Sequence, residues 1–230
     1  MFQVFYESFI LDEGYKLVLR GLGVTILTAV SALIMGVIIG TMIAMLFVKK
    51  DRGIVGKIFH VIAKGYVGFF RGTPVTVQLL FIYFVIFPAI GLGLMPRVLV
   101  GILVFGLNSG AYVTEIMRGA FLSVDAGQTE AGRSLGLSSR TTMMRIVFPQ
   151  AIKTAVPTIA NEFVALLKET SVLYFIGGTD LTVAFQEIAA SNYEYTIPYL
   201  LLAVVYLVLV LGATAIIKKI EKRMRASDKR

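Results

Sequence analysis

The sequence predicts an all-α membrane protein with five transmembrane helices, an N-terminal interfacial helix and a helical cytoplasmic loop. Hydrophobic residues make up 57% of the 230-residue chain and charged residues only 16%, against about 25% charged residues in ordinary soluble domains. Several apolar runs approach the roughly twenty residues that a helix needs to cross a bilayer. Basic residues cluster in alternate gaps between these runs, which is typical of cytoplasmic loops.

The first sixteen residues predict an amphipathic helix lying in the outer membrane interface. Apolar side chains recur there at helical spacing, at Phe2, Phe5, Tyr6, Phe9 and Ile10. The segment is acidic where a signal peptide would be basic, so we do not expect it to be a signal peptide.

The five predicted spans cover residues 22–48, 61–90, 98–117, 155–176 and 196–217. The second is long for one crossing and is interrupted by the sequence Arg71-Gly72-Thr73-Pro74. Pro74 removes a backbone hydrogen bond and disfavours helix at Thr73, so this interruption is either a hinge or a fixed kink. The fourth span is the least hydrophobic. We expect one transmembrane domain over residues 1–230.

The basic residues predict the orientation of the chain. They follow the first span (Lys49, Lys50, Arg52, Lys57), separate the third from the fourth (Arg118, Arg133, Arg140, Arg145, Lys153) and follow the fifth (Lys218, Lys219, Lys222, Arg223, Arg225, Lys229, Arg230). This alternation places the N-terminus outside and the C-terminus in the cytoplasm. It also accounts for the net charge of +8 without a nucleic-acid partner, and the basic tail can contact membrane lipid.

Several kinds of site are excluded by composition. The chain has no cysteine and a single histidine, His60, so disulfides, thiolate metal sites and paired-histidine haem or zinc sites within one chain are excluded. No glycine-rich phosphate loop of the form Gly-four residues-Gly-Lys-Ser/Thr is present. We therefore expect no metal and no cofactor in this chain, and no ATP hydrolysis by it.

The polar loop at residues 118–153 predicts a first short helix. Asp125 and Gln128 have capping-box spacing, so a helix can begin near Ala126. Gly136 suits the left-handed position just past a helix end. Gly132 costs the helix about 1 kcal/mol relative to alanine, which favours a close approach by another protein surface at that position.

A second short helix follows in the same loop. Ser138 can cap it, it would continue through Thr141 to Val147, and Pro149 would end it. The expected product is two short helices joined by a tight turn, all on the cytoplasmic side.

This loop resembles the cytoplasmic loop of ATP-binding-cassette (ABC) importer permeases. The family pattern is Glu-Ala-Ala, three residues, Gly, nine residues, Ile, one residue, Leu-Pro. The chain has Glu130-Ala131-Gly132, then Gly136, Ile146 and Phe148-Pro149. It departs from the pattern with Gly132 in place of alanine and Phe148 in place of leucine.

Other blocks resemble the permeases of polar amino-acid importers. They are Phe69-Phe70-Arg71-Gly72-Thr73-Pro74 with Gln78, the run Tyr112 to Ala120 leading to Gly127-Gln128, and Pro149-Gln150-Ala151 followed by Pro157, Asn161 and Leu167-Lys168-Glu169-Thr170-Ser171. The resemblance covers residues 65–178, in one order along the chain.

The resemblance implies a permease subunit in a bacterial cytoplasmic (inner) membrane. Its partners would be an ABC ATPase dimer that binds ATP, a second permease chain that is either a copy or a relative, an external substrate-binding protein and a polar amino acid. The loop would contain the coupling helix, with the ATPase-docking residues Asp125, Glu130, Ala131, Gly132, Arg133 and Gly136.

Polar residues inside the spans are the candidate substrate-binding residues. Inserting an ionisable side chain into hydrocarbon costs roughly 2.5–3.5 kcal/mol, so such a residue is expected to have a structural or functional role. The candidates are Glu162, Asn161, Asn108, Tyr112, Glu115, Arg71 and Gln78. Glu162 would favour a cationic amino acid. The alternatives are hydrogen bonding between helices for Asn108, Ser109 and Gln78, and an Arg71–Glu115 ion pair.

Two other functions remain open at this point. One is a secondary transporter or channel subunit driven by an ion gradient, although no inverted repeat is visible. The other is an assembly subunit of a membrane enzyme in which Glu162 relays protons. A neighbouring gene for an ATPase would favour the permease, and uptake driven by an ion gradient alone would favour the secondary transporter.

Overall fold

A computed structural model describes residues 5–48, 53–92 and 95–227, and these are helical apart from short connections. A π-helical segment, Tyr6–Leu11, comes first. The helices of the first half are α1 (Gly14–Val48), α2 (Ile54–Gly72), α3 (Val75–Phe81, prolonged through Ile82–Ile86 and Phe87–Ala89) and α4 (Arg97–Ser123). Those of the second half are α5 (Ala126–Ser134), α6 (Ser139–Thr142, prolonged through Met143–Val147), α7 (Phe148–Glu169, prolonged by the 3-10 helix Thr170–Ile176), α8 (Leu181–Asn192) and α9 (Thr196–Ser227).

Some predicted features lie outside the described residues. They are the apolar side chain of Phe2 and the basic residues Lys49, Lys50, Arg52, Lys229 and Arg230.

Within the described ranges, three helices are long and apolar enough to cross a membrane: α1, α4 and the part of α9 from Thr196 to Met224. The α2–α3 pair makes a fourth if its two bent halves count as one span. Helix α7 falls short of that standard because it carries Lys153, Glu162, Lys168 and Glu169. The all-α membrane fold is confirmed.

The interruption predicted within the second span, at Arg71-Gly72-Thr73-Pro74, is present, whereas the start of the span differs from residue 61. Helix α2 begins earlier, at Ile54, and the chain bends by 111° before it continues as α3. Thr73 and Pro74 both have extended backbones at the bend, with ψ angles of 149° and 138°. The proline therefore breaks the helix sharply instead of tilting it, because it restricts the residue before it to extended conformations.

Other helices extend beyond the predicted limits. Helix α1 begins at Gly14 instead of residue 22, α4 ends at Ser123 instead of residue 117, and α9 ends at Ser227 instead of residue 217. Hydropathy detects only the part of a helix that suits hydrocarbon, whereas backbone hydrogen bonding continues through polar residues at each end.

The prediction that Pro149 ends a helix is wrong. Pro149 lies in the first turn of α7, directly after the π-helical segment, where the Phe148 amide donates to the Met143 carbonyl and Pro149 has no amide hydrogen to donate. Helix α6, its π-helical prolongation and α7 therefore run on without a loop. The fourth predicted span begins at Phe148 instead of residue 155.

The N-terminal segment and α8 pack together. The Phe9 side chain is buried and its ring centroid lies 5.8 Å from that of Phe185 in α8. Within the described residues, the helix predicted over residues 1–16 ends at Leu11 instead of residue 16, and one of its apolar side chains contacts protein. Helix α8 was not predicted from the sequence, although Asp180 before an apolar run is an N-cap signal.

Helix α4 lies at the centre of the described fold, and α1 packs closely along it. Small residues on one face of α1 permit this approach, since a side chain on Gly36 would meet Ser109 at 2.7 Å and one on Gly40 would meet Val113 at 2.7 Å. Membrane helices associate through such small residues. The packing leaves Asn108 and Ser109 of α4 buried within the bundle.

Candidate functional site

The bend between α2 and α3 is closed by the side chain of Gln78. This residue is 1% exposed. Its amide nitrogen donates to the backbone oxygens of Phe70 and Thr73 and to the Thr73 hydroxyl oxygen, each at 2.9 Å. The backbone carbonyls of Phe70 and Thr73, which lose their helical amide partners at the break, are thus hydrogen-bonded to the Gln78 side chain.

Asn108 ties the same bend to α4. Its amide nitrogen donates to the side-chain oxygen of Gln78 at 2.9 Å and to the backbone oxygen of Phe70 at 3.2 Å. Nearby, the Tyr66 hydroxyl donates to the backbone oxygen of Leu107 at 2.5 Å. The hydrogen bonding between helices expected for Asn108 and Gln78 is therefore present, and it holds the bend in one shape.

Arg71 and Glu115 do not pair with each other. The Arg71 guanidinium lies 5.5 Å from the centre of the Tyr112 ring, a cation–π geometry. Glu115 forms its ion pair with Arg118, one turn along α4, at 2.6 Å. The expected alternative of an Arg71–Glu115 ion pair is therefore wrong, because a nearer cation on the same helix takes the Glu115 carboxylate.

Glu162 is half-buried on α7, and Asn161 beside it is exposed. The hydroxyl of Ser109 on α4 lies close to the Glu162 carboxylate. Glu169 follows seven residues later, on the same side of α7, and next to Lys168. Ser109 was not among the predicted site residues, although its position beside Asn108 was a usable signal.

The fold brings the predicted substrate-binding residues together only in part. Gln78 and Asn108 meet at the bend, and Arg71 and Tyr112 meet beside it. Glu162 faces the same helix, α4, through Ser109. Glu115 points instead to Arg118 near the end of α4.

The polar loop at residues 118–153 forms an elbow, residues 125–149, whose two helices begin as the sequence predicts. The Asp125 carboxylate accepts a hydrogen bond from the Gly127 amide at 2.7 Å and caps α5. Gly136 adopts a left-handed backbone with φ of 78°. The Ser138 hydroxyl accepts from the Thr141 amide at 3.1 Å and caps α6. These contacts hold the turn rigid.

Gly132 is buried inside the elbow. A side-chain carbon at this position would lie 2.7 Å from the Thr142 methyl group and 3.2 Å from Ile146. The surface that approaches Gly132 closely is therefore the second helix of the same loop.

The other predicted docking residues are exposed: Asp125, Glu130, Ala131, Arg133 and Gly136. Leu135 stands among them with 80% of its surface exposed. An exposed leucine in a polar loop was not predicted as part of the docking surface. It adds a large exposed apolar side chain to a face that also carries the charged side chains of Asp125, Glu130 and Arg133.

Asp180 holds the start of α8 against two spanning helices. It is fully buried and accepts hydrogen bonds from the amides of Thr182 at 3.0 Å and Val183 at 3.3 Å, and from the Tyr206 hydroxyl at 3.4 Å. The Leu181 amide donates to the Thr25 hydroxyl oxygen at 3.1 Å. Burial raises the pKa of the Asp180 carboxyl group, against these hydrogen bonds, which lower it.

Across the described residues, no group of three or more His, Cys, Asp or Glu side chains could hold a metal ion. The polar groups instead line and brace helices inside a bundle, while a capped helical elbow projects from it. A bundle of apolar helices with buried polar groups is typical of a membrane transport protein. The chain belongs to the binding-protein-dependent transport system inner membrane component family, which matches residues 36–226.

Relatives in the same family span nearly the whole chain. The glutamine transport system permease protein GlnP of Escherichia coli is 34% identical over 91% of this chain and 93% of its own length. The arginine transport system permease protein ArtQ of Bacillus subtilis is 33% identical over 92% of this chain and 94% of its own. A putative glutamine permease, GlnP of Rickettsia conorii, is 36% identical over 90% and 92%.

Solved structures show the same fold. An amino acid ABC transporter crystallised with histidines has a chain that is 34% identical, with a TM-score of 0.83 over 93% of this chain and 96% of that one. The inward-facing MetNI methionine ABC transporter has a chain at 18% identity with a TM-score of 0.76, covering 90% of this chain and 96% of that one. The second likeness concerns the fold alone.

The chain is thus an amino-acid ABC transporter permease, an inner-membrane component with membrane-spanning helices. Permeases of this family work in general with an ATPase and a substrate-binding protein. The relatives are transport permease subunits.

Proposed function

We propose that this chain is the permease subunit of an ATP-driven importer for polar amino acids, coupled to its ATPase dimer through the elbow. An external binding protein delivers the substrate, and ATP binds to the partner ATPase. The N-terminus lies outside and the C-terminus in the cytoplasm. The chain needs no cofactor of its own.

The observation that carries this proposal is the continuity between the elbow and α7. Helix α6 passes through Met143–Val147 into α7 without an intervening loop, and α7 carries Glu162. A displacement of the exposed face of α5 is transmitted to α6, because Gly132 and Thr142 are in close contact. The elbow can therefore act as a lever on the span that lines the proposed substrate path.

Substrate recognition is assigned to the polar groups around α4 and α7. Glu162 and Glu169 place two carboxylates on one side of α7, and Asn161 next to Glu162 is exposed. A carboxylate in the membrane needs a cation, and the ammonium or side-chain cation of a basic amino acid supplies it. Arg71, held over Tyr112 and exposed, is the counterpart for the substrate carboxylate.

Gln78 and Asn108 contribute by shaping the site, and Tyr112 by holding Arg71. Glu115 orients Arg118 at the cytoplasmic end of α4. One bundle of this size does not enclose a path for a solute, so a second permease chain completes it, either as a copy of this chain or as a relative.

The coupling is tested by purifying the chain with candidate ATPase subunits and measuring ATP hydrolysis with the binding protein and individual amino acids. We expect hydrolysis to rise with a polar amino acid and to lose this stimulation when Leu135 is replaced by Asp. Replacement of exposed Leu122 by Asp, outside the elbow, is the matched control. Stimulated hydrolysis that survives Leu135→Asp would contradict the assignment of the elbow.

The charge preference is tested with Glu162→Gln. We expect uptake of arginine and lysine to fall at least about tenfold, because removing a buried charge–charge contact costs more than 1.4 kcal/mol, while uptake of glutamine changes little. Asn161→Asp, which adds a carboxylate next to Glu162, is the opposite control. Equal losses for basic and neutral substrates would rule out charge selection by Glu162.

A further inference from the structure

The last helix carries a basic surface that the transport proposal does not use. We define the basic arc as four exposed residues of α9: Lys218, Lys219, Lys222 and Arg223. At about 100° per residue, they occupy one continuous sector of about 140° around the helix. Ile217, which is buried, and Glu221, which is half-buried, lie on the opposite side. Among the described residues, no ion pair includes a member of the basic arc.

The position of the basic arc along α9 places it at the membrane surface. Tyr195 and Tyr199 stack with ring centroids 6.0 Å apart at the other end of this helix, and tyrosine favours the membrane interface. A helix rises about 1.5 Å per residue and the hydrocarbon core is about 30 Å thick. About twenty residues after Tyr199, α9 therefore leaves the hydrocarbon, at Lys218 and Lys219.

Two apolar side chains border the basic arc on its exposed side. Ile216 is 64% exposed and Ile220 is 48% exposed. On the helix surface, these two side chains lie next to Arg223. A ligand that combines a phosphate with an acyl chain can contact both the basic arc and these two apolar side chains. A free phosphate or an acidic protein surface would contact only the basic arc.

We propose that the basic arc binds the phosphate groups of anionic membrane lipids and so holds the cytoplasmic end of α9 in the headgroup layer. Each basic residue next to an anionic bilayer contributes about fivefold in binding, so the four together give strong selection for anionic over zwitterionic lipid. The proposal goes beyond transport, since lipid binding at α9 requires neither substrate nor ATPase.

The test uses the absence of tryptophan from the sequence. Ile220→Trp introduces a single fluorescent reporter at the basic arc, in the full-length chain reconstituted in lipid nanodiscs. The discs contain equal amounts of phosphatidylglycerol and phosphatidylcholine, and only one of the two is brominated, so that it quenches the fluorescence. We expect stronger quenching by brominated phosphatidylglycerol, and we expect this preference to fall as salt is raised, because salt screens the exposed charges.

Matched variants define the cause of the preference. Replacing all four basic residues with Gln should remove it, while replacing the three lysines with Arg should preserve it. Leu200→Trp, a reporter at the opposite end of α9 where the side chain is 58% exposed, should be quenched equally by both lipids. If the Gln variant does not insert, the salt dependence and the Arg variant still decide the question.

Three results would overturn the proposal. The first is equal quenching of the Ile220→Trp fluorescence by both lipids, or a preference for phosphatidylglycerol that persists in the variant with four Gln replacements or at high salt. The second is a preference abolished by inorganic phosphate at constant ionic strength, which would indicate a general phosphate site. The third is loss of ATPase subunits from the purified Gln variant with the lipid preference retained, which would assign the basic arc to a protein contact.

Discussion

Gln78 and Asn108 show what single polar side chains do inside this bundle. Pro74 breaks the helix and leaves backbone carbonyls unpaired, and an unpaired buried carbonyl costs roughly 1–3 kcal/mol. The Gln78 amide pairs two of these carbonyls, and Asn108 binds Gln78 in turn. The bend is therefore a fixed part of the fold, held by side chains that the sequence alone allowed either to bind substrate or to join helices.

Replacing Gln78 with Leu tests this role. We expect the free energy of unfolding in detergent to fall by about 2–3 kcal/mol, because the bend loses its buried donor and Asn108 loses an acceptor. Gln150→Leu is the control, since the Gln150 amide bonds to the Ile146 carbonyl on an exposed surface. Equal effects of the two changes would show that the buried network contributes nothing specific.

Asp180 gives a prediction for pH. Its carboxyl group lies in the connection before α8, and burial raises its pKa above the ordinary value of 3.8. A raised pKa means that the contribution of this group to stability is complete below that value and is lost as the pH rises through the folded-state pKa. The unmodified protein should therefore lose stability relative to Asp180→Asn as the pH rises from 4 towards 8, over the range set by that raised pKa.

The comparison is made by denaturant unfolding in detergent across that pH range. Asn at position 180 can still cap α8, whereas Asp180→Ala removes the contacts to Thr182 and Val183 and should be less stable than Asp180→Asn by about 1 kcal/mol at every pH. A difference between the Asp and Asn forms that does not change with pH would contradict the prediction.

The elbow is the element whose local structure follows most directly from sequence. Caps at Asp125 and Ser138 and the left-handed Gly136 are local features, and each is present. The packing of its two helices is not local. Gly132 replaces the alanine of the family pattern, and the methyl group of Thr142 lies in the space that an alanine side chain would occupy.

Because the Thr142 methyl group occupies the space of an alanine side chain at position 132, we expect the effects of substitutions at positions 132 and 142 on stability to be coupled. Gly132→Ala should destabilise the protein by about 1 kcal/mol, because the clash costs about 1–3 kcal/mol and exceeds the gain of about 1 kcal/mol in helix propensity. In a Thr142→Ser background, which lacks the methyl group but keeps the hydroxyl oxygen that a carbon at position 132 would meet at 3.0 Å, the same change should be less destabilising. A double-mutant cycle of unfolding free energies measures the difference. Additive effects would show that the two residues do not interact.

At the scale of the whole molecule, α4 organises the bundle. It contacts α1 through small residues, the α2–α3 bend through Asn108 and α7 through Ser109 and Glu162. Polar groups from three directions therefore meet along one helix. This convergence supports a substrate path beside α4. The elbow and α8 belong to other parts of the chain.

The orientation of the chain is testable because the sequence has no cysteine, so that introduced cysteines are the only thiols. Tyr193→Cys and Ser139→Cys place thiols at exposed positions after α8 and in the elbow. In spheroplasts, a membrane-impermeant maleimide should label Tyr193→Cys directly and Ser139→Cys only after lysis. The reverse pattern would invert the topology and remove the elbow from any cytoplasmic ATPase.

The sequence by itself determined the all-α membrane class, the family resemblance, the caps of the elbow and the position of the helix break at Pro74. These depend on composition and on contacts between near neighbours in the chain. Hydropathy could not give the helix ends, the continuity through Pro149 or the existence of α8, since it does not measure backbone hydrogen bonding.

Only the tertiary structure decided how distant residues pair. It joined Gln78 to Asn108, Arg71 to Tyr112 and the start of α8 to Thr25, and it placed Gly132 inside the elbow. Each pairing depends on which helix faces bring distant parts of the chain together. The sequence determines which helix faces meet only through the packing of the whole bundle. The partner of a polar side chain is therefore identified from the fold and not from the sequence.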